Sequence, residues 1–557
     1  MSPQPSDNQS RNPILILAIT AGVFLVGVFL IAAIVVTNWA GRQSSSSSSS
    51  NTSGELVGVS LKIISGSENK TLEPIIGQFN KDTGAKVELS YMGSVDILLK
   101  LNANETQDVD AAWPASSLIF NLTSNTNLKY SQSILRSPVV LGIKKNIAQK
   151  EGWDKSSSIK VNDLLTALTR RDFKLAMTNA TQSNSGLSGY LAFLQAFAGT
   201  TEPISSADLK KDEVQNKTRA LLSLINRSSG SSGWLKDLLL QKYDSLDAMI
   251  NYESVVIETN QELEKQGKAP LQAIYLEDGM VVADSPLAYV DKKDAQKEKA
   301  FLKLQEYLSS KEVATNLQKQ GRRTGLGLQV DTSTNGLDQV FRSDWGIKSD
   351  ISFVSLKYPK KEVIEEMLNL YQISLRKPSL TYYVVDVSGS MQGKGLDSLK
   401  EAMRTIINQE SAKKYFLQTG NKDVSVIIPF NDKVLGKYRF EGNSEETIRN
   451  FSLTVEGLQA GGGTDLYTPL VQASKDIQAT QNNTDYFPAI ILMTDGKSQN
   501  EGALSQIDTN QDIPVFPILF GDADPSQLDK IVKITSGKVF DGRKDLVSAF
   551  REAKGYN

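Results

Sequence analysis

From Pro13 to Val36 the chain reads PILILAITAGVFLVGVFLIAAIVV, about two dozen residues without a charged side chain. A helix of that length crosses a bilayer core of roughly 30 Å. A cleaved signal peptide is the alternative, but its apolar core spans roughly 7–15 residues before a small-residue cleavage site, so a retained anchor fits better. Trp39 stands where an interfacial aromatic side chain would lie. Arg11 and Arg42 flank the stretch almost symmetrically. The short tail before it and the bulk behind it fit a signal anchor with the C-terminal part exported. Serines 44 to 50 follow, then Asn-Thr-Ser-Gly, a composition that cannot bury a core and reads as a tether. The expected order is therefore a tail over residues 1–12, an anchor over 13–37 and a linker over 38–54. The expected location is the cell membrane, single-pass, with the C-terminal bulk extracytoplasmic.

The 557 residues include no histidine and no cysteine. That removes Ser-His and Cys-His nucleophiles, imidazole or thiolate zinc sites, disulfides and a lipid-modified N-terminal cysteine. A metal site in such a chain is built from oxygen, which favours hard ions such as magnesium, calcium or manganese. A formal net charge of −2 offers no electrostatic footing for nucleic acid. The expectation is a binding protein and not an enzyme.

The length calls for more than one core. Residues 55–327 alternate strand-like and helix-like segments, which argues for an α/β domain with largely parallel sheets. Strands are expected at Val57–Ser65, Lys86–Tyr91, Val139–Ile143 and Phe173–Met177. Helices are expected at Thr71–Thr83, Ser94–Leu101, Ser188–Ala198, Ser245–Asn251 and Lys292–Leu308. Residues 328–378 form a connector with a helix over Lys361–Ser374, where apolar residues recur at helical spacing. Over 379–557 the strands LTYYVVDV, VSVIIPF, AIILMT and IPVFPILF are apolar on both faces, which implies a doubly wound, Rossmann-like sheet between helices.

Ligands of such a sheet sit beyond the carboxyl ends of its strands. Asp386 and Asp495 each follow an apolar strand, and Thr464 follows Gly461–Gly463 and precedes a helix. DVSGS, GGGTD and ILMTDG, in this order and approximate spacing, resemble the metal-ion-dependent adhesion site of the von Willebrand factor type A family. The resemblance implies that Ser388, Ser390 and Thr464 ligate a divalent ion through hydroxyls. Asp386 and Asp495 would act largely through bound water, and one position would stay open for a partner's Asp or Glu carboxylate. Magnesium is the implied ion, with manganese or calcium as alternatives. Asp-x-Ser-x-Ser alone is a weak signal, since Ser388 is also suited to cap the next helix; the ordered set with Thr464 and Asp495 is strong. A magnesium phosphatase of the Asp-x-Asp type needs a second carboxylate where this chain has Ser388.

Residues 55–327 resemble the two-lobed periplasmic solute-binding fold, in particular the group that captures small oxyanions. The stretches that carry the likeness include ISGSENKTLEPIIGQF, TNATQSNSGLSGYLAF, VVADSPLAYV and QGRRTG. The resemblance implies two α/β lobes with crossover strands near Pro138–Leu141 and Asp284–Tyr289 and a ligand in the cleft. Ser67, Ser94 and Ser185, at helix starts, are candidate ligand contacts, each equally suited to plain helix capping. Tyr252 and Glu253 match a position that contacts ligand from the second lobe, although Glu253 would repel an anion. The pairing resembles bacterial surface proteins. The expected function is partner recognition through the metal site, linked to a solute-binding-like module; the alternative is the substrate-binding component of an ABC-type uptake system with an accessory type A domain.

Overall fold

The computed structural model describes residues 56–156, 158–325, 327–351, 355–480, 485–498, 501–507 and 512–556. The expected anchor and linker lie outside the described residues. Among the described residues no helix is long and apolar enough to cross a membrane.

Two mixed sheets make up the first part of the chain. In one lobe, β1 (Ser60–Gly66), β2 (Lys86–Met92), β3 (Ala111–Trp113), β4 (Leu128–Ser133) and a returning strand, Pro286–Val290, form a sheet in the order β2, β1, β3, the returning strand, β4. In the other, β5 (Ser137–Lys144), β6 (Leu175–Thr178), β7 (Ile225–Ser229), β8 (Ala248–Tyr252), β9 (Leu271–Ile274) and β10 (Val282–Ala283) pair in the order β10, β5, β8, β6, β7, with β9 also on β5. The returning strand Pro286–Val290 is β11. It runs antiparallel to both neighbours, as β5 does to β8 and β9, so the sheets are mixed and not largely parallel. The chain crosses between lobes at 134–136 and again at 284–285, where the Ile134 amide donates to the Ser285 carbonyl at 3.2 Å. The second crossing starts the expected Asp284–Tyr289 segment, whereas Pro138–Leu141 lies inside β5.

One expected element has the wrong type. Ser245–Asn251 is not a helix; its second half is β8, whose residues are all buried. A short central strand packed on both faces has no alternation, so periodicity cannot distinguish it from a buried helix turn. The connector also differs from a separate segment. Val340, Phe341, Trp345 and Ile347 pack into the core of the second lobe. The helix Lys361–Leu370 places Ile364 and Leu368 against the first lobe's cluster, and Met367 against the second's.

The last part is a six-stranded sheet of β12 (Ser379–Asp386), β13 (Val424–Phe430), β14 (Tyr438–Glu441), β15 (Phe487–Thr494), β16 (Val515–Leu519) and β17 (Phe540–Asp541), ordered β14, β13, β12, β15, β16, β17. All pairings are parallel except that of the edge strand β14. Strand alternation explains the two helix layers. Tyr383, Val385 and Val387 face one apolar cluster, and Leu380, Tyr382 and Val384 face the other. On the first side Leu399, Met403 and Ile406 of the helix Lys394–Ile407 complete the core; on the second, Leu470 and Ile477 of Tyr467–Ala479 do.

The C-terminal domain docks on the second lobe through the helix Leu546–Gly555 and Tyr556. Asn179 donates to the Gly555 carbonyl at 2.9 Å, and the Tyr556 ring packs against Trp234 with centroids 5.3 Å apart. Arg227, from β7, reaches the carbonyls of Asp512 and Ser536.

Candidate functional site

Asp386 ends β12 and Asp495 follows β15, the adjacent parallel strand, so chain direction alone brings both carboxylates to one edge of the sheet. The loop after β12 turns back on Asp386: the Ser388 amide donates to Asp386 Oδ1 at 2.8 Å, while the Thr494 hydroxyl donates to Oδ2 at 2.6 Å. Ser388 Oγ and Ser390 Oγ are 3.0 Å apart, and Ser390 Oγ donates to Asp495 Oδ1 at 2.7 Å. The glycine loop is laced to the same turn. Gly389, between the two serines, donates to the Gly462 carbonyl at 3.0 Å, and Gly461 donates to the Val387 carbonyl at 2.9 Å. Gly462 has φ +84°, a left-handed conformation that suits glycine. Thr464 then lies over Gly496: a Cβ on Gly496 would sit 2.8 Å from Thr464 Oγ1.

All five residues expected at a metal site therefore gather on three adjoining loops. Asp386 and Ser388 are buried, Thr464 is half-buried and Ser390 is exposed, which leaves the cluster open on one side. Burial holds the carboxyls of Asp386 and Asp495 above the usual range, despite hydrogen bonds from Thr494 and Ser388 to the first and from Ser390 to the second. A cation at this point would offset that cost. Among the described residues no group of three or more carboxylates gathers as a metal-binding set. An ion held here would depend on the hydroxyls as well, and the donor set of two carboxylates and three hydroxyls fits a hard cation. Thr494 belongs to the site although it is not one of the five expected ligands. It is the threonine of ILMTDG, and it fixes Asp386 from the neighbouring strand.

The second set of candidates converges between the lobes. Ser67 follows β1, Ser94 follows β2, Ser185 lies in the turn of helix after β6, and Tyr252 ends β8. Ser67 Oγ accepts from the Gly233 amide at 2.9 Å, a bond from lobe to lobe. Ser94 Oγ accepts from the Ala115 amide at 3.0 Å. Ser185 Oγ is 2.8 Å from both Thr178 Oγ1 and Ser232 Oγ. Asn184 donates to Tyr252 Oη at 3.1 Å. The lobes are closed on one another, with the Val95 amide on the Gln182 carbonyl at 2.9 Å and Thr71 on Glu258 at 2.8 Å. At Gly93 the approach is so close that a Cβ would fall 2.3 Å from the Gln182 carbonyl oxygen.

Glu253 does not face a ligand. It is fully buried and held by Arg323 through two bonds of 2.8 Å, with the Tyr275 hydroxyl also donating to it. The expected repulsion of an anion by Glu253 is thereby cancelled. An acid at the lobe contact is Glu68, beside Ser67 and near Glu258. Burial pushes its carboxyl up to about 7, against the lowering effect of its own backbone amide and of Arg322. Glu68 Oε1 and Asn184 Oδ1 are buried acceptors without a hydrogen-bond partner among the described residues. The signal of Glu68 in the sequence is the ionisable residue of SGSENK next to the candidate serine.

Comparison with known proteins agrees with the two-module description. Residues 61–323 match the family model for bacterial extracellular solute-binding proteins, and residues 382–547 match that for the von Willebrand factor type A domain. The chain thus carries a solute-binding-protein module followed by a type A domain. A segment is 31% identical over 139 residues to the E3 ubiquitin-protein ligase WAV3 of Arabidopsis thaliana, covering 25% of this chain and 17% of that protein. Among solved structures, a von Willebrand factor type A protein from Catenulispora acidiphila is 20% identical, with a TM-score of 0.27, over 32% of this chain and 42% of that one. The periplasmic binding protein AfuA from Actinobacillus pleuropneumoniae is 14% identical, with a TM-score of 0.41, over 56% of this chain and 98% of its own. The sulfate-binding protein SubI from Mycobacterium tuberculosis is 15% identical, with a TM-score of 0.36, over 52% and 93% respectively.

Proposed function

We propose that this chain, a solute-binding-protein module joined to a type A domain, is a membrane-anchored extracytoplasmic binding protein that captures a protein partner through a divalent cation. In this reading Ser388, Ser390 and Thr464 would hold the ion through their hydroxyls, with Asp386 and Asp495 acting largely through bound water. The ion, magnesium by preference and manganese or calcium as alternatives, supplies an electrophilic position for an Asp or Glu carboxylate of the partner. The protein's own residues do the rest. Thr494 and the Ser388 amide fix Asp386, and the glycine loop sets Thr464 over the Asp495–Gly496 turn. The observation that carries the proposal is the hydroxyl–hydroxyl–carboxylate chain Ser388, Ser390, Asp495 at the carboxyl edge of the sheet. The solute-binding-protein module docks on the helix Leu546–Gly555 and on residues before β16 and β17, which leaves this edge to a partner. The composition supports binding rather than catalysis, since without histidine or cysteine only lysine- or carboxylate-based nucleophile–base pairs are open to the chain.

A second reading, delivery of a solute to a membrane permease, is favoured by one observation: the unpartnered acceptors Glu68 Oε1 and Asn184 Oδ1 at the closed cleft. Acceptors left bare in a buried cleft suit a ligand that donates hydrogen bonds, such as a polyol or a cation. The recognition reading has a direct test. The full chain is presented with immobilised acidic peptides in magnesium and in chelator, for the parent and for Asp386→Ala. Magnesium-dependent capture that Asp386→Ala abolishes supports recognition, whereas equal capture in chelator counts against it.

A further inference from the structure

The amino-terminal ends of β12, β13 and β15, opposite the edge that carries Asp386 and Asp495, meet the second lobe and the connector around a cavity of about 1150 Å³. Its lining is rich in cations: Arg171 and Lys174 before β6, Arg219 from the helix Asp212–Ser223, Arg376 and Lys377 before β12, and Lys422 before β13. Three carboxylates also line it, Asp423, Glu441 and Asp485. Asp423 is already committed: it takes Arg376 at 2.5 Å, the Ser379 amide at 2.8 Å and the Gly420 amide at 2.7 Å.

Among the described residues, Arg171, Lys174, Arg219, Lys377 and Lys422 make no ion pair, and the cations lining the cavity outnumber its carboxylates. Lys377 is 8% exposed, and its ammonium has only the face of Phe487, 5.1 Å from the ring centroid, with no hydrogen bond or ion pair among the described residues. Burial first, and then the like charge of Arg171, push Lys377 down to about 8 even though Asp485 opposes both. Arg219 is oriented by neutral groups, the Ser374 carbonyl at 3.2 Å and Asn216 Oδ1 at 2.9 Å. Arg376, though paired with Asp423, keeps a buried Nε without a hydrogen-bond partner among the described residues. A buried ammonium and an unpaired guanidinium N–H beside an open cavity cost stability unless an anion meets them. The volume is that of a generous small-molecule site, and Leu168, Phe173 and Tyr486 give it an apolar wall.

We propose that this junction cavity binds a phosphorylated small molecule, with Lys377, Arg171 and Arg219 meeting its phosphate oxygens and the apolar wall meeting its organic body. Its walls come from the second lobe, the connector and the type A domain, so the ligand braces the two modules against each other. The site is separate from the metal edge and rests on none of the residues there.

The test is calorimetric titration of the full chain with ATP and, separately, with inorganic triphosphate. Both are run with a chelator to keep divalent ions out of the metal edge, and with sodium sulfate at matched ionic strength as the control. The expected result is saturable binding of one polyanion per chain. Arg171→Ser and Arg219→Gln, neither of them a core residue, each weaken it about tenfold or more, and Lys377→Met weakens it further. Asp386→Ala leaves it unchanged. Binding of ATP but not triphosphate supports the proposal and assigns a role to the apolar wall; equal binding supports it through the phosphates alone. Failure of both probes to bind, or equal affinity in the parent and in Arg171→Ser and Arg219→Gln, overturns it.

Discussion

Gly496→Ala is the smallest change that reaches the proposed ion through a single ligand. Gly496 is not among the residues with positive φ, so alanine meets no backbone penalty there. Its methyl group, however, would lie 2.8 Å from Thr464 Oγ1, 3.1 Å from Cγ2 and 3.3 Å from Cβ. Thr464 Cβ itself lies within 3.3 Å, so rotation about χ1 cannot relieve the whole contact and the side chain has to give way. Reaching ordinary contact at 3.4 Å moves the hydroxyl by about 0.6 Å, whereas a ligand distance tolerates only about 0.2 Å. The hydroxyl is then lost to the ion. Losing a direct ligand costs at least what losing an outer-shell partner of a ligand costs, on the order of 10–100-fold in metal affinity, roughly 1.4–2.8 kcal/mol. The assay is the thermal midpoint of the full chain against magnesium concentration, since an ion that binds only the folded state stabilises it by mass action. The midpoint curve of Gly496→Ala should shift to about 10–100-fold higher magnesium. Thr464→Ala should shift it equally, and the double variant no further, because both remove one ligand. A Gly496→Ala curve that overlays the parent, while Thr464→Ala shifts, would refute the placement of Thr464 against that turn.

Other consequences follow from the buried charges of the first module. Arg323→Met strands Glu253, which is fully buried, and should cost about 3–5 kcal/mol in chemical denaturation. Adding Glu253→Leu to it should recover most of that loss, and a double variant no better than the single would contradict the pairing. Glu68 sets a pH dependence. Its carboxyl is raised from 4.5 to about 7, so between those values the folded chain holds a proton that the unfolded chain has released. Stability contributed by this group is therefore present at low pH and falls as pH rises through that window, by roughly 3–4 kcal/mol at most. Glu68→Gln should flatten that part of the profile. Asp96, raised to about 8 by burial and by Glu552, acts in the same direction and remains in the variant. Parent and Glu68→Gln profiles of equal slope from pH 5 to 7 would show that Glu68 is not held protonated.

The C-terminal domain was the more legible half of the chain. Its strands are continuous apolar runs ending in Asp386 and in Thr494-Asp495, and a parallel sheet turns that chain order into spatial neighbourhood without further information. The antiparallel edge strand Tyr438–Glu441 escaped because it is largely exposed and carries Arg and Glu. In the first module β8 was misread because a fully buried strand lacks alternation. The pairing of Glu253 with Arg323 joins residues far apart in sequence and leaves no local mark, so Glu253 looked like a ligand contact. The anion cavity was invisible for the same reason. Arg171, Arg219 and Lys377 sit in three unrelated stretches, and only docking of the modules brings them together.

Binding of manganese to the full chain, followed by electron paramagnetic resonance, tests the central claim most directly. The account predicts one tightly held manganese ion per chain, displaced by magnesium and lost when Ser388 and Ser390 are both changed to alanine, with the fold retained by circular dichroism. Undiminished manganese binding in that double variant would contradict it.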